Sequence, residues 1–528
     1  MAITPSSDLK LLKVPIEIDN KNQLTFSNLT AQYNYFNSLD KIEVTDLTYQ
    51  RKDSIIRYGE HIDNLLEFNY CMYRNDNYSN KWFYCFITDM KYINDNMTEI
   101  TIKTDVFQTW QFDLTYKQSF IEREHVNDDT IGIHTIPESL EHGEYISNSA
   151  ILDFNYTDTT YVCVATSECY EQGTDRPNTF YNGIFSGLIY YVFKTTAECS
   201  AFINNLSDQG RAEIINSVFI IPQSLALDVT EYSFTRGQTN CRYYIINSSN
   251  TVTNFGVINL TRPTKIGKNY IPVNNKLFTA PYCYFNVTNN CGTTVSYFYE
   301  DFNSINNPTF NVYGAITPSC SIKAVPLNYK NVTENFEESI NGAKLPICSW
   351  ANDVYTNWLT QNAVNIGISI ASSSFQIIGG AVASATGAGA GIGASAITSG
   401  SLGIASTLGE IYKHSLVAYQ TEGNINSGDV VFSAGKSDLD VYYMSIKDEY
   451  ARVIDKYFSM FGYKVNVVKL PNITGRTNWN YVKTIDCNII ADIPQVDLDE
   501  IKGIFNNGVT LWHNANTFLD YSQSNSIV

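Results

Sequence analysis

The densest grouping of ionisable side chains is EREHVNDDTIGIHTIPESLEHGE, Glu122 to Glu144, which places three of the six histidines, His125, His134 and His142, among acids. Histidines mixed with carboxylates could hold a metal or run acid–base chemistry, and both need several such groups converging on one point. The spacing argues against it. There is no HExxH pattern, no two histidines fall on one helical face, and Pro137 breaks any helix between His134 and His142. Glu122, Glu124, Glu138 and Glu141 could in principle supply the carboxylate pair of a glycoside hydrolase, but a linear sequence carries no sign of the separation such a pair requires. The stretch reads as a solvated loop. The run GAGAGIG from Gly387 to Gly393 lacks both the lysine of a phosphate-binding loop and the surrounding strand–helix context, and no GxSxG elbow appears. The expectation is a protein that is not an enzyme and holds neither metal nor cofactor.

A second feature carries a different chemistry. From Val354 to Gly409 there is no Asp, Glu, Lys, Arg or His. A permanent membrane-spanning helix needs about 20 strongly apolar residues, yet eight glycines fall between Gly379 and Gly403, each costing roughly 1 kcal/mol relative to alanine in a helix. A flexible linker would not carry Val364, Ile366, Ile368, Ile370, Phe375, Ile377, Ile378, Val382, Ile392, Ile397, Leu402, Ile404 and Leu408. Two readings remain, a buried hairpin or a conditional membrane segment that is hidden in one state and inserted in another. Those side chains together favour a bilayer by roughly 5 kcal/mol per copy before glycine and serine penalties. One copy is marginal, so insertion would need several copies brought together, with small residues allowing close helix contacts. Gly387, Gly389, Gly391 and Gly393 then form the tip between two apolar arms, Val364 to Thr386 and Ala394 to Leu408.

The elements that would carry these features are mainly strands. In Lys81 to Trp110, two aromatic and β-branched runs flank the polar turn Asn94-Asp95-Asn96, and Ile100 and Ile102 alternate with polar residues, which predicts an antiparallel hairpin. The runs TYVCVAT, LIYYVF, CRYYIIN and TVSYFY predict further strands between Ile151 and Leu345. Late in the chain, Ile446, Tyr450, Val453, Ile454, Tyr457, Phe458 and Phe461 recur at helical spacing before Gly462. Val496, Leu498, Ile501, Ile504 and Phe505 do the same before Gly508, and YKVNVVKL and YVKTIDCNIIADI lie between them as strands. The fold class expected is mainly β with an α+β C-terminal region and one long apolar loop.

Composition narrows the partners. The chain has 528 residues and a formal charge of −18, with 35 Lys and Arg against 53 Asp and Glu, so nucleic acid is repelled rather than wrapped. Its 11 cysteines show no CxxC pair and read as reduced, buried thiols. Asp8, Lys10, Lys13 and Pro15 interrupt the first twenty residues, which predicts synthesis in a cytoplasm without a secretory signal.

At both ends the chain resembles a known family. NKWFYCFIT (Asn80 to Thr88), DVFQTW (Asp105 to Trp110), SFIEREHV (Ser119 to Val126), FGYKVNVVKLPN (Phe461 to Asn472), NYVKTIDC (Asn480 to Cys487) and IFNNGVTLWH (Ile504 to His513) are similar to the distal tail knob proteins of small, short-tailed, phi29-like bacteriophages. The resemblance implies a homohexamer, with β-barrel-type tube domains in a ring at the hollow end of a DNA-delivery tube. It also implies apolar loops that plug the lumen and later help breach the host cytoplasmic membrane. The neighbours would be other phage tail and connector proteins, the DNA would pass without specific binding, and the location would be the virion. On this reading residues 1–150 are a β-rich tube domain and 151–345 a β-rich outer or knob domain. Residues 346–435 are then the apolar membrane-active plug and 436–528 an α+β region completing the tube. A receptor-binding or wall-degrading tail protein is the alternative. A secreted pore-former would share the loop but would need an export signal.

Overall fold

The computed structural model describes residues 7–48, 50–75, 81–154, 160–171, 180–181, 184–185, 187–226, 229–246, 254–318, 320–352, 420–421, 427–434 and 438–528. They fold mostly as strands, and the chain divides into two compact units. The first comprises Met1–Ile146, Thr264–Cys283 and Ser445–Val528; the second comprises Ser147–Pro263 and Tyr284–Met444.

In the first unit, alternation of apolar and polar residues builds a six-stranded antiparallel sheet. Its order is Lys41–Leu47, Ser7–Leu12, Tyr70–Asn75, Trp82–Asn94, Met97–Thr104 and Ile55–Tyr58. The expected hairpin is present, closing at the pair Asn94 and Met97. A five-stranded sheet joins the two ends of the chain: Asn22–Leu24 runs parallel to Val509–Trp512, followed by Trp479–Asp486, Ser119–Glu124 and Tyr463–Lys469. Leu12, Tyr70, Met72 and Tyr84 of one sheet pack with Leu24, Trp479 and Trp512 of the other, and Phe36 of the helix Leu29–Ser38 fills the same core. Burying such aromatic area supplies much of the drive to fold.

The two C-terminal helices form as Asp448–Phe461 and Gln495–Asn507, ended by Gly462 and Gly508 at positive φ. Their buried arcs differ from the expected ones. Helix Asp448–Phe461 buries Ala451, Ile454, Asp455 and Phe458, whereas Val453 is 69% exposed and Ile446 ends the preceding strand. In the second helix Val496 is 72% exposed and Asp497 lies inside with Leu498, Ile501, Ile504 and Phe505. Spacing at three and four admits either flank of an apolar stripe, and the neighbours choose between them. Asp497 is retained inside because Lys52 pairs with it and Trp110 Nε1 donates to it at 3.0 Å.

The second unit contains a seven-stranded sheet ordered Val229–Arg236, Thr239–Ile246, Ile189–Phe193, Thr160–Thr166, Ile215–Pro222, Ile347–Asn352 and Gln420–Thr421. Helix Thr196–Asp208 covers one face of it, with Phe202 set among Tyr170, Tyr191 and Tyr243. Sequence reading overlooked this helix, although Thr195 caps it by accepting from Glu198 N at 3.2 Å, the first half of a Thr-x-x-Glu capping box. A five-stranded sheet contains Asn254–Asn259, Thr309–Gly314, Ile322–Tyr329 and Val332–Glu334 in that order, with Ile340–Asn341 also on Ile322–Tyr329.

Candidate functional site

The stretch expected to be a solvated loop is, in its first part, among the most buried polar regions of the first unit. Strand Ser119–Glu124 lies between Tyr463–Lys469 and Trp479–Asp486, so Arg123, Glu124 and the following His125 are enclosed on both sides. Glu138 folds back onto this strand and is itself buried. There it pairs with Arg123 and Lys276 and accepts from Lys464 N at 2.9 Å. Arg123 Nη1 donates to Gly462 O at 2.8 Å, and Lys276 Nζ donates to Ile136 O at 2.8 Å. Burial pushes the Lys276 amine down while Glu138 opposes that shift. Charges this deep persist only when paired and hydrogen-bonded.

Neighbouring groups extend the network. Glu124 pairs with Lys469 and accepts from Asn472 N at 2.9 Å, and Asn472 Nδ2 donates to His125 O at 2.6 Å. On helix Asp448–Phe461, the buried Asp455 receives Tyr270 Oη at 2.6 Å, Val273 N at 2.7 Å and Asn274 N at 2.9 Å. Asp129 accepts from Tyr463 Oη at 2.6 Å and Asn275 N at 2.9 Å. Groups from three separate stretches of the chain, around residues 123–138, 274–276 and 455–472, thus meet in one unit.

His125 is a structural histidine. Its Nδ1 accepts from Tyr481 N at 2.8 Å, which leaves Nε2 as the donor to Ser459 O at 3.1 Å. Burial, reinforced by the Arg476 guanidinium, pushes its pKa down to about 3. The unfolded imidazole protonates near 6.5. The folded state therefore excludes a proton that the unfolded state takes up, so the contribution is complete above about pH 6.5 and is lost as pH falls toward 3. Buried Asp105, raised to about 6 by desolvation, works in the opposite sense. The two are separated by comparing slopes: between pH 6.5 and 5, His125→Asn is expected to remove about 1 kcal/mol per pH unit of the acid-side loss of stability in urea titrations. Parallel slopes for the variant and the parent chain would contradict the assignment.

The other residues of the stretch scatter. His134 is in an exposed segment, with Nε2 2.7 Å from Asp128 O, and His142 lies beside Tyr145. Glu122 pairs with Lys483. Of the four candidate acids, Glu122 and Glu124 are each matched to one cation and Glu138 to two, rather than to one another, and a glycosidase pair is not assembled from these three. Among the described residues no cluster of three or more His, Cys, Asp or Glu side chains is placed to hold a metal.

Residues 246–526 match the family model described as Bacillus phage phi29 tail knob protein gp9, C-terminal domain, and residues 6–115 match that of the caudoviral major tail protein N-terminus. The chain belongs to the phi29 gp9 tail knob family. It is 28% identical over 607 aligned residues to the tail knob protein gp9 of Bacillus phage B103, and 27% identical over 601 to that of Bacillus phage phi29, each comparison covering 100% of both chains. The solved structure of the bacteriophage C1 tail knob protein, gp12, has the same fold, with a TM-score of 0.69 at 15% identity, covering 99% of this chain and 100% of that one.

For a member of the tail knob family, a structural tail component, the buried network is a clamp. It holds the segment after Gly462 and the segment around Asn274 against the strand Ser119–Glu124. The sequence offered little to find it: Lys276, Asp455 and Asn472 sit in no motif, and the helical pattern expected before Gly462 did not include Asp455. The apolar candidates, Val364, Ile366, Ile368, Ile370, Phe375, Ile377, Ile378, Val382, Gly387, Gly389, Gly391, Ile392, Gly393, Ile397, Leu402, Ile404 and Leu408, lie outside the described residues.

Proposed function

We propose that six copies of this chain form the hollow distal end of a phage tail, through which the genome is delivered into the host. The N- and C-terminal blocks, residues 1–150 and 436–528, contribute the wall of the tube, and residues 151–345 an outer or knob domain. Within residues 346–435, the charge-free stretch Val354 to Gly409 plugs the lumen until DNA release and then enters the host cytoplasmic membrane. The observation that carries the reading is the charge-free stretch from Val354 to Gly409 in a tail knob family member. The acidic excess supports a conduit, because repulsion keeps DNA from adhering to its wall. Among the described residues no helix is long and apolar enough to cross a membrane.

Liposome dye release tests the membrane step. Ile392→Asp or Ile397→Asp places a charge costing about 2.5 to 3.5 kcal/mol per chain near a bilayer centre. Release is expected to be abolished by either substitution and by deletion of Val364 to Leu408, with assembly by analytical ultracentrifugation unchanged. Release that survives both kinds of change refutes the membrane role, and the segment is then a core filler.

A further inference from the structure

The five-stranded sheet of the second unit has two unlike faces. On one, Phe310 and Val312 are buried, Phe310 lying 5.1 Å from Tyr297 and 5.9 Å from Phe302 between ring centroids. Asn311 and Tyr313 alternate onto the other face. There the Tyr313 and Phe336 rings lie 5.5 Å apart at 38°, Phe336 being 49% exposed, and Val257, opposite Asn311 in register, is 55% exposed. Polar groups are held in place between them. Glu334 Oε1 accepts from Tyr313 Oη and from Asn311 Nδ2, each at 2.8 Å. Asn311 is only 7% exposed, and its Oδ1 meets no donor among the described residues.

This combination is poorly explained as core or as solvated surface. A core face would cover Phe336 and Val257, and a merely wet face has no cause to fix a carboxylate between a phenol and an amide. An orphaned buried acceptor costs about 1–3 kcal/mol, but Asn311 Oδ1 is sealed from solvent beside the fully buried Val325, so the acceptor this face offers a ligand is the half-buried Glu334 carboxylate. Ring faces beside positioned acceptors suit a sugar, whose C–H faces lie on aromatic rings while its hydroxyls donate. The positioned acceptor of this face is the Glu334 carboxylate, and Lys323 lies opposite Tyr313 in register. A phosphate, itself all acceptor, is matched less well than a hydroxyl.

We propose that this face, built on Tyr313, Phe336, Asn311, Glu334 and Val257, binds a neutral glycan segment. The site is independent of the plug and requires no catalysis. The test is calorimetric and saturation-transfer NMR titration of the full chain with chitotetraose, maltotetraose and, as the anionic arm, inorganic polyphosphate. One of the neutral oligosaccharides is expected to bind, and Tyr313→Ala or Phe336→Ala to weaken it by at least about tenfold. Because truncating a ring could loosen the fold, Val257→Arg serves as the second variant; it alters an already exposed position and is expected to block binding with an unchanged melting curve. The proposal is overturned if neither neutral oligosaccharide binds, if affinity is unchanged in all variants, or if only polyphosphate binds. It is equally overturned if the variants change the oligomeric state instead, since a second copy of the chain then covers the face.

Discussion

Replacing Gly462 by alanine is expected to destabilise the first unit by roughly 4 kcal/mol, combining a strained backbone with a steric clash that neighbouring atoms cannot relieve. Gly462 ends helix Asp448–Phe461 at φ 63° and ψ −155°, a region that side-chain-bearing residues scarcely enter. An added Cβ would lie 2.1 Å from Glu124 O, 2.2 Å from Glu124 C and 2.5 Å from His125 N. Those are backbone atoms of the strand between two others, so relief would require moving the five-stranded sheet. The same glycine carbonyl receives Arg123 Nη1, so displacement also disturbs the buried network. Gly503, inside helix Gln495–Asn507, is the control: nothing lies within 4 Å of its ideal Cβ, and Gly503→Ala is expected to stabilise by about 1 kcal/mol. Urea unfolding followed by tryptophan fluorescence reports mainly on the first unit, since four of the six tryptophans, Trp82, Trp110, Trp479 and Trp512, belong to it. Equal midpoints for Gly462→Ala and the parent would refute the assignment.

Glu138→Ala is expected to cost about 3–5 kcal/mol, because it strands Arg123 and Lys276 as unpaired cations in the interior. Lys276→Met should be milder, since Glu138 keeps Arg123 and Lys464 N as partners and the buried amine is removed. Replacing all three members together, Arg123→Met, Glu138→Leu and Lys276→Met, should return stability close to that of the parent, as a packed apolar triad removes the desolvation penalty along with the attraction. The same unfolding measurement orders these variants. A single Glu138→Ala that unfolds at the parent's midpoint would mean that the network is solvated and contributes nothing to holding the segments together.

Much of the fold was legible locally. The hairpin from Trp82 to Thr104 declared itself by alternation and a polar turn, and helices Asp448–Phe461 and Gln495–Asn507 by spacing and terminal glycines. The strand runs from Thr160 to Tyr297 were likewise visible as aromatic and β-branched segments. These features depend on the period of the backbone and on side-chain chemistry within a few residues, which a linear reading contains. Which flank of a helix is buried is already less local, and Val453 and Val496 fell on the wrong side for that reason.

The candidate site was legible only as composition. EREHV looked hydrated because its charged residues prefer water, and the burial of Arg123 and Glu124 follows from partners supplied elsewhere in the chain, Gly462, Lys469 and Asn472, as that of Glu138 follows from Lys276 and Lys464. A strand pattern states which face a side chain takes, but not which strand lies alongside; Ser119–Glu124 pairs with Tyr463–Lys469 across some 340 positions of sequence. Charge and polarity set the cost of burial for each residue singly, whereas the compensation is a property of pairs and depends on distances of a few ångströms that only the folded chain establishes.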